Sequence, residues 1–116
     1  MAAGDTYPAR RIPVPESGDI NEVMGQMQPG DYCGPYRGYT GDREAVSFKL
    51  PVAQDLPEDG LGAVAGFRHV TSPPHVFTEQ PDGSLEIRES ILTREKRPDG
   101  TPWHGYLDAG NVWREV

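Results

Sequence analysis

Residues 81–116 constrain the fold more than any other part of the chain, because apolar and polar positions alternate there between glycine-containing turns. In Ser84–Arg88, Leu85 and Ile87 fall on one side of an extended strand and Glu86 and Arg88 on the other, the period of a half-buried strand. Ile91 and Leu92 carry the apolar signal past Glu89. The charged stretch 94–102, REKRPDGTP, has the Pro-Asp-Gly chemistry of a loop. In Trp103–Leu107, Trp103 and Leu107 share one face and His104 and Tyr106 the other. Asp108–Asn111 is a tight turn, and Val112–Val116 returns. The pattern predicts three strands, the last two an antiparallel hairpin over 103–116.

The run D-G-S-L-x-I-x-x-S-I, a polar loop and W-H-G-Y-L-x-x-G-x-V-W resembles the C-terminal part of a family of small uncharacterised proteins. These are common in bacteriophage genomes, particularly phages of high-GC actinobacteria. Pro29–Asp31, Val46–Pro51 and Ser72–Phe77 occur in the same order in that family, so the resemblance spans residues 29–116. It implies a phage accessory protein working in the cytoplasm of the bacterial host, and it implies no particular activity. A more distant similarity is to an uncharacterised domain ending in a strand, S-I, a loop, H-Y-W and a strand. Its cysteines and histidine look like a zinc site, and this chain lacks those cysteines.

At 116 residues the chain is long enough for one domain with a modest core. Gly and Pro together (14 + 12) make 26 residues, and only 35% of the chain is hydrophobic, which favours a loop-rich β domain over a helical bundle. The expected fold is therefore mainly β: a small single antiparallel sheet or sandwich-like domain over 19–116, with at most one short helix. Phe48, Leu50, Phe77, Leu85, Ile87, Ile91, Trp103, Leu107 and Trp113 are expected to share its core. Residues 1–18, rich in proline, read as an N-terminal arm, partly disordered or lying extended against the domain. A net charge of −7 disfavours direct nucleic-acid binding, which needs a basic face. The 9 Arg and 2 Lys match a high-GC coding bias. A single cysteine forms no internal disulfide, and there is neither an apolar run of membrane-spanning length nor a signal core. A soluble protein of a reducing cytoplasm is expected.

Ile20, Val23, Met24 and Met27 fall at helical spacing, with Asp19 and Glu22 placed as a capping box, so one short helix is predicted there with the methionines packed. Residues 31–41, DYCGPYRGYTG, are compositionally unusual. Tyr32, Tyr36 and Tyr39 are spaced by Gly, Pro and Arg37, which suits either an adaptable contact surface or a strand pair with half-buried tyrosines. Val46, Phe48 and Leu50 alternate inward along a strand stopped by Pro51. A short strand is expected at Ala63–Phe67 and another at His75–Glu79, after an extended Ser72–Pro74.

Chemistry-bearing motifs are sparse. Cys33 has no base nearby in sequence. Asp55, Glu58 and Asp59 lack the spacing of a calcium loop. Gly60–Gly62 opens no dinucleotide-binding helix, and there is no G-x-S-x-G elbow. His69, His75 and His104 with Cys33 contain no C-x-x-C or H-x-x-x-H pair. No catalytic residue, metal ligand or cofactor is assigned. The reading is a non-catalytic protein-binding module contacting a host or phage protein through Tyr32, Tyr36, Arg37, Tyr39, His104 and Tyr106. Two alternatives stand beside it: a small zinc-dependent or histidine-assisted enzyme centred on His75 and His104, and an acidic DNA-mimicking inhibitor.

Overall fold

The computed structural model describes residues 4–37, 43–57, 59–67 and 75–116. Among these residues nine strands and one helical turn follow in chain order: β1 (Thr6–Pro8), β2 (Arg10–Ile12), α1 (Asn21–Met24), β3 (Asp31–Arg37), β4 (Arg43–Lys49), β5 (Leu61–Phe67), β6 (Val76–Glu79), β7 (Leu85–Lys96), β8 (Pro102–Asp108) and β9 (Val112–Glu115). A 3-10 turn at Ala53–Asp55 lies between β4 and β5. One sheet has the order β1-β9-β8-β7-β6 and the other β2-β3-β4-β5. Each is an antiparallel meander with one strand of the N-terminal arm added at its edge. β2 joins β3 in parallel, whereas β1 joins β9 antiparallel. The fold is thus mainly β and sandwich-like.

The two sheets share one core. Tyr32, Val46, Phe48 and Val64 from the four-stranded sheet meet Leu85, Ile87, Ile91, Trp103, Leu107 and Trp113 from the five-stranded one, with Leu50, Val52 and Leu56 closing one end. All nine residues expected in the core belong to it or, for Phe77, pack against it. Trp113 sits at its centre, edge-on to Phe48 and Trp103 at 5.7 Å each and to Tyr32 at 6.5 Å. Aromatic rings prefer such edge contacts to stacked ones.

The hairpin over β8 and β9 forms as expected, pairing Leu107 with Trp113 and Gly105 with Glu115. A side chain at Gly105 would begin only 2.6 Å from the Trp103 indole, so the missing Cβ makes room for that ring. β7 departs from simple alternation. Ile87 pairs with Leu107 and Ile91 with Gly105, so β7 spends two extra residues between them. Glu89 takes a φ of 68° within this bulge and its side chain is exposed, which lets Ile87 and Ile91 both stay buried. The loop expected at 94–102 is shorter than its composition implies, because β7 runs to Lys96, which pairs with Pro102.

The arm lies extended against the domain, one of the two forms expected of it. Residues 6–12 are ordered strands of both sheets, and the chain passes from one to the other at Ala9, whose N–H donates to the Asn111 carbonyl at 2.9 Å. The Arg11 guanidinium clamps the crossing. It donates to both carboxylate oxygens of Glu79 at 2.6 and 2.7 Å, to the Gly34 carbonyl at 2.7 Å and to the Gly83 carbonyl at 3.0 Å. Arg10 makes a second bidentate pair with buried Asp31 at 2.7 and 3.0 Å. α1 is a single turn. Asp19 accepts the Asn21 N–H at 3.0 Å, and Glu22 accepts the Ser17 hydroxyl rather than closing a reciprocal box on Asp19. Met27 is buried, as a packing role requires.

Candidate functional site

The six residues expected to form one contact surface are not brought together. Tyr32 is a correction: it is fully buried, because β3 turns it toward Trp113 and the core satisfies its hydroxyl. That hydroxyl accepts the Leu85 N–H at 3.1 Å and donates to the Asn111 side-chain carbonyl, so it ties the four-stranded sheet to the five-stranded one. Burial pushes the phenol pKa up, as desolvation of a phenolate must. Tyr36 pairs with Ala45 and bonds the Ser47 hydroxyl at 2.8 Å, on the outer side of the four-stranded sheet. Arg37 is exposed at the end of β3, opposite Glu44. Tyr39 lies outside the described residues. His104 and Tyr106 point outward from the other sheet, so the expected surface splits between opposite faces of the sandwich.

His104 and Tyr106 nevertheless sit in a coherent patch. β8 turns Trp103, Gly105 and Leu107 inward, which leaves His104 and Tyr106 half-exposed on the outer side. Register then sets their neighbours. Leu92 on β7 pairs with His104, and the Val116 N–H donates to the His104 carbonyl at 2.8 Å. A row Leu92–His104–Val116 therefore crosses three strands. Leu92 is 63% exposed and Val116 51%, two of the three exposed large hydrophobics among the described residues. In the next row Tyr106 pairs with Arg114, whose guanidinium carbon lies 4.6 Å from the Tyr106 ring centroid. Arg114 is held there by Asp108, with bonds of 2.7 and 3.3 Å, and its pKa is raised by the hydrogen bond and charge of that carboxylate. A ring, a guanidinium and a carboxylate are thus fixed in one arrangement before any partner arrives. Leu92 and Arg114 were not singled out from the sequence, although the alternation that placed His104 also places both on the outer face.

Elsewhere an open cleft of about 530 Å³ lies between the 3-10 turn and the β7–β8 loop, with Leu56, Pro57 and Pro98 among its walls. Arg97 lines it and is itself mostly buried, paired at 2.5 Å with Glu115, whose other carboxylate oxygen has no hydrogen-bond partner among the described residues. Lys96 and Arg97 line the cleft together with Asp55 and Asp99, so it presents no dominant charge.

Catalytic and metal readings find little geometric support. Cys33 is buried, and desolvation pushes its thiol pKa up, away from a reactive thiolate. His75, just ahead of β6, bonds the Ser90 carbonyl at 3.3 Å through Nε2. β7 lies between it and His104, so their strands are about 10 Å apart, two strand spacings. His69 lies outside the described residues, as do residues 72–74 and Glu58. Among the described residues no three His, Cys, Asp or Glu side chains converge as a metal-holding group. No helix there is long and apolar enough to cross a membrane.

No protein-family model, curated protein or solved structure matches this chain. The resemblance to phage proteins therefore rests on its motif residues alone.

Proposed function

We propose that this chain is a non-catalytic protein-binding module, a phage accessory protein that engages a host or virion protein through the outer face of the five-stranded sheet. One observation carries the reading. Leu92, His104 and Val116 form an exposed row beside a Tyr106–Arg114 pair already locked by Asp108. Tyr and Arg are enriched among interface hot spots, and a side chain ordered before binding loses less entropy on association. A partner surface with an apolar centre and a polar rim fits such a patch. Of the described residues of the Tyr/Gly segment, the exposed Arg37 and the partly covered Tyr36 lie on the other sheet, away from this patch. The net charge of −7 continues to disfavour nucleic acid as the direct ligand.

The test compares wild type, Leu92→Asp and Tyr106→Ala as baits in lysate of an actinobacterial host, with captured proteins identified by mass spectrometry. Leu92 is exposed, so Leu92→Asp should melt within about 0.5 kcal/mol of wild type, and the half-exposed Tyr106 reaches no core residue, so Tyr106→Ala should stay folded. A partner retained by wild type and lost from both variants is the expected result. Equal capture by all three, or no capture above bare resin, removes the proposal.

A further inference from the structure

Among the described residues four strands form the edges of the two sheets, and three of them are guarded against further pairing. β1 has three residues and ends in Pro8. β2 has three residues, two of them Arg10 and Arg11. β6 has four and ends in Glu79. Short length, charge and proline are the usual devices that stop an edge from pairing with another chain. β5 has none of them. Its seven residues, LGAVAGF, contain no charge and no proline, and they pair with β4 in unbroken register from Lys49–Leu61 to Arg43–Phe67. Among the described residues only β4 pairs with it.

The phase of this edge can be read from one bond. The Leu50 N–H donates to the Gly60 carbonyl at 3.0 Å. In an antiparallel ladder the main-chain groups of Gly60, Gly62, Val64 and Gly66 then face β4, and those of Leu61, Ala63, Ala65 and Phe67 face away. The Leu61 N–H conforms, since it turns aside to the Asp59 carboxylate at 3.1 Å.

The sequence of β5 is also symmetric about Val64: glycine, alanine, valine, alanine, glycine, with a large apolar residue at each end. We propose that β5 is a homodimerisation edge, pairing antiparallel with β5 of a second copy about a two-fold axis through Val64. In that register Val64 meets Val64, Ala63 meets Ala65, Gly62 meets Gly66 and Leu61 meets Phe67. The outward N–H and carbonyl groups of Ala63 and Ala65 then face each other across the seam, and the two four-stranded sheets become one of eight strands. The contact is isologous, so it closes at two copies and does not propagate. One strand pair buries less than the ~1,200 Å² of stable interfaces, so the dimer should depend on concentration in the micromolar range or above.

Mass in solution tests this, by light scattering or sedimentation equilibrium over a concentration series. Wild type should pass from monomer to dimer. Ala63→Pro removes one outward N–H from each copy, a change that an edge strand accommodates, and should weaken the dimer about tenfold or more. Ala63→Lys, at an exposed position, guards the edge by charge and should act in the same direction, which covers a folding failure of the proline variant. Register is checked by disulfide trapping with oxidised glutathione as oxidant. Val64→Cys should link two copies, since the axis brings position 64 against itself. Leu61→Cys should not, because position 61 faces position 67. The native Cys33 is buried and serves as the unlinked background. A wild type that stays monomeric throughout overturns the proposal. So does a dimer insensitive to both Ala63 changes, or linking at position 61 equal to that at 64.

Discussion

Trp103 shows what one side chain contributes here. It is fully buried, lies edge-on to Trp113 and occupies the space left by Gly105. Trp103→Ala should cost about 3–5 kcal/mol, a large part of the roughly 5–15 kcal/mol that holds a domain folded. Urea titration measures it, and a loss under about 1 kcal/mol would place the ring at the surface instead. This residue was legible in the sequence because Trp103 and Leu107 alternate with polar neighbours on a regular strand. Tyr32 was not. Its hydroxyl partners lie 53 and 79 positions away, at Leu85 and Asn111. Local spacing carries no trace of them, and the bulge between Cys33 and Tyr36 breaks the alternation that would otherwise separate inward from outward tyrosines.

Among the elements, the arm depends on Arg11. Its guanidinium is mostly covered, and it holds two carbonyls as well as Glu79. Arg11→Ala should therefore destabilise by about 1–2 kcal/mol at pH 7, because those carbonyls lose a charged donor. Glu79 is well exposed, so solvent screening leaves the ion pair itself only a minor share. Arg11 holds the Glu79 carboxyl below its ordinary value, chiefly through the hydrogen bond. That share is fully present above the unfolded carboxyl pKa of about 4.3 and fades as pH falls through the lower folded value. Melting curves of both proteins from pH 7 to 3 should accordingly draw closer together at the acid end. A gap that widens in acid would contradict the assignment. β1 and β2 escaped sequence analysis because three residues are too few to show a period, and a proline-rich stretch reads as a tail. β7 was read too short for the opposite reason: Arg94–Lys96 looks like a loop by composition, yet hairpin pairing with β8 keeps it extended.

For the whole molecule, fold class was legible because alternation and turn chemistry are local, whereas the division into two sheets was not, since it depends on which strands fail to pair. The candidate site was half legible for the same reason. Alternation set the outward direction of His104 and Tyr106, but only register shows that Leu92, Val116 and Arg114 stand beside them. The crossing at Ala9 carries a further consequence, for the order of events during synthesis. Thr6 pairs with Arg114, 108 positions along the chain (114 − 6). β1 leaves the ribosome long before its partner β9 and must wait for it, and closing so long a loop is entropically slow. Both meanders can assemble from neighbouring strands in the meantime. Pulse-labelled amide exchange during refolding should thus find Thr6–Ile12 protected after β7 and β8. Protection of that segment in step with the meanders would mean the arm docks early, through Arg10 and Asp31, before its final partner strand arrives.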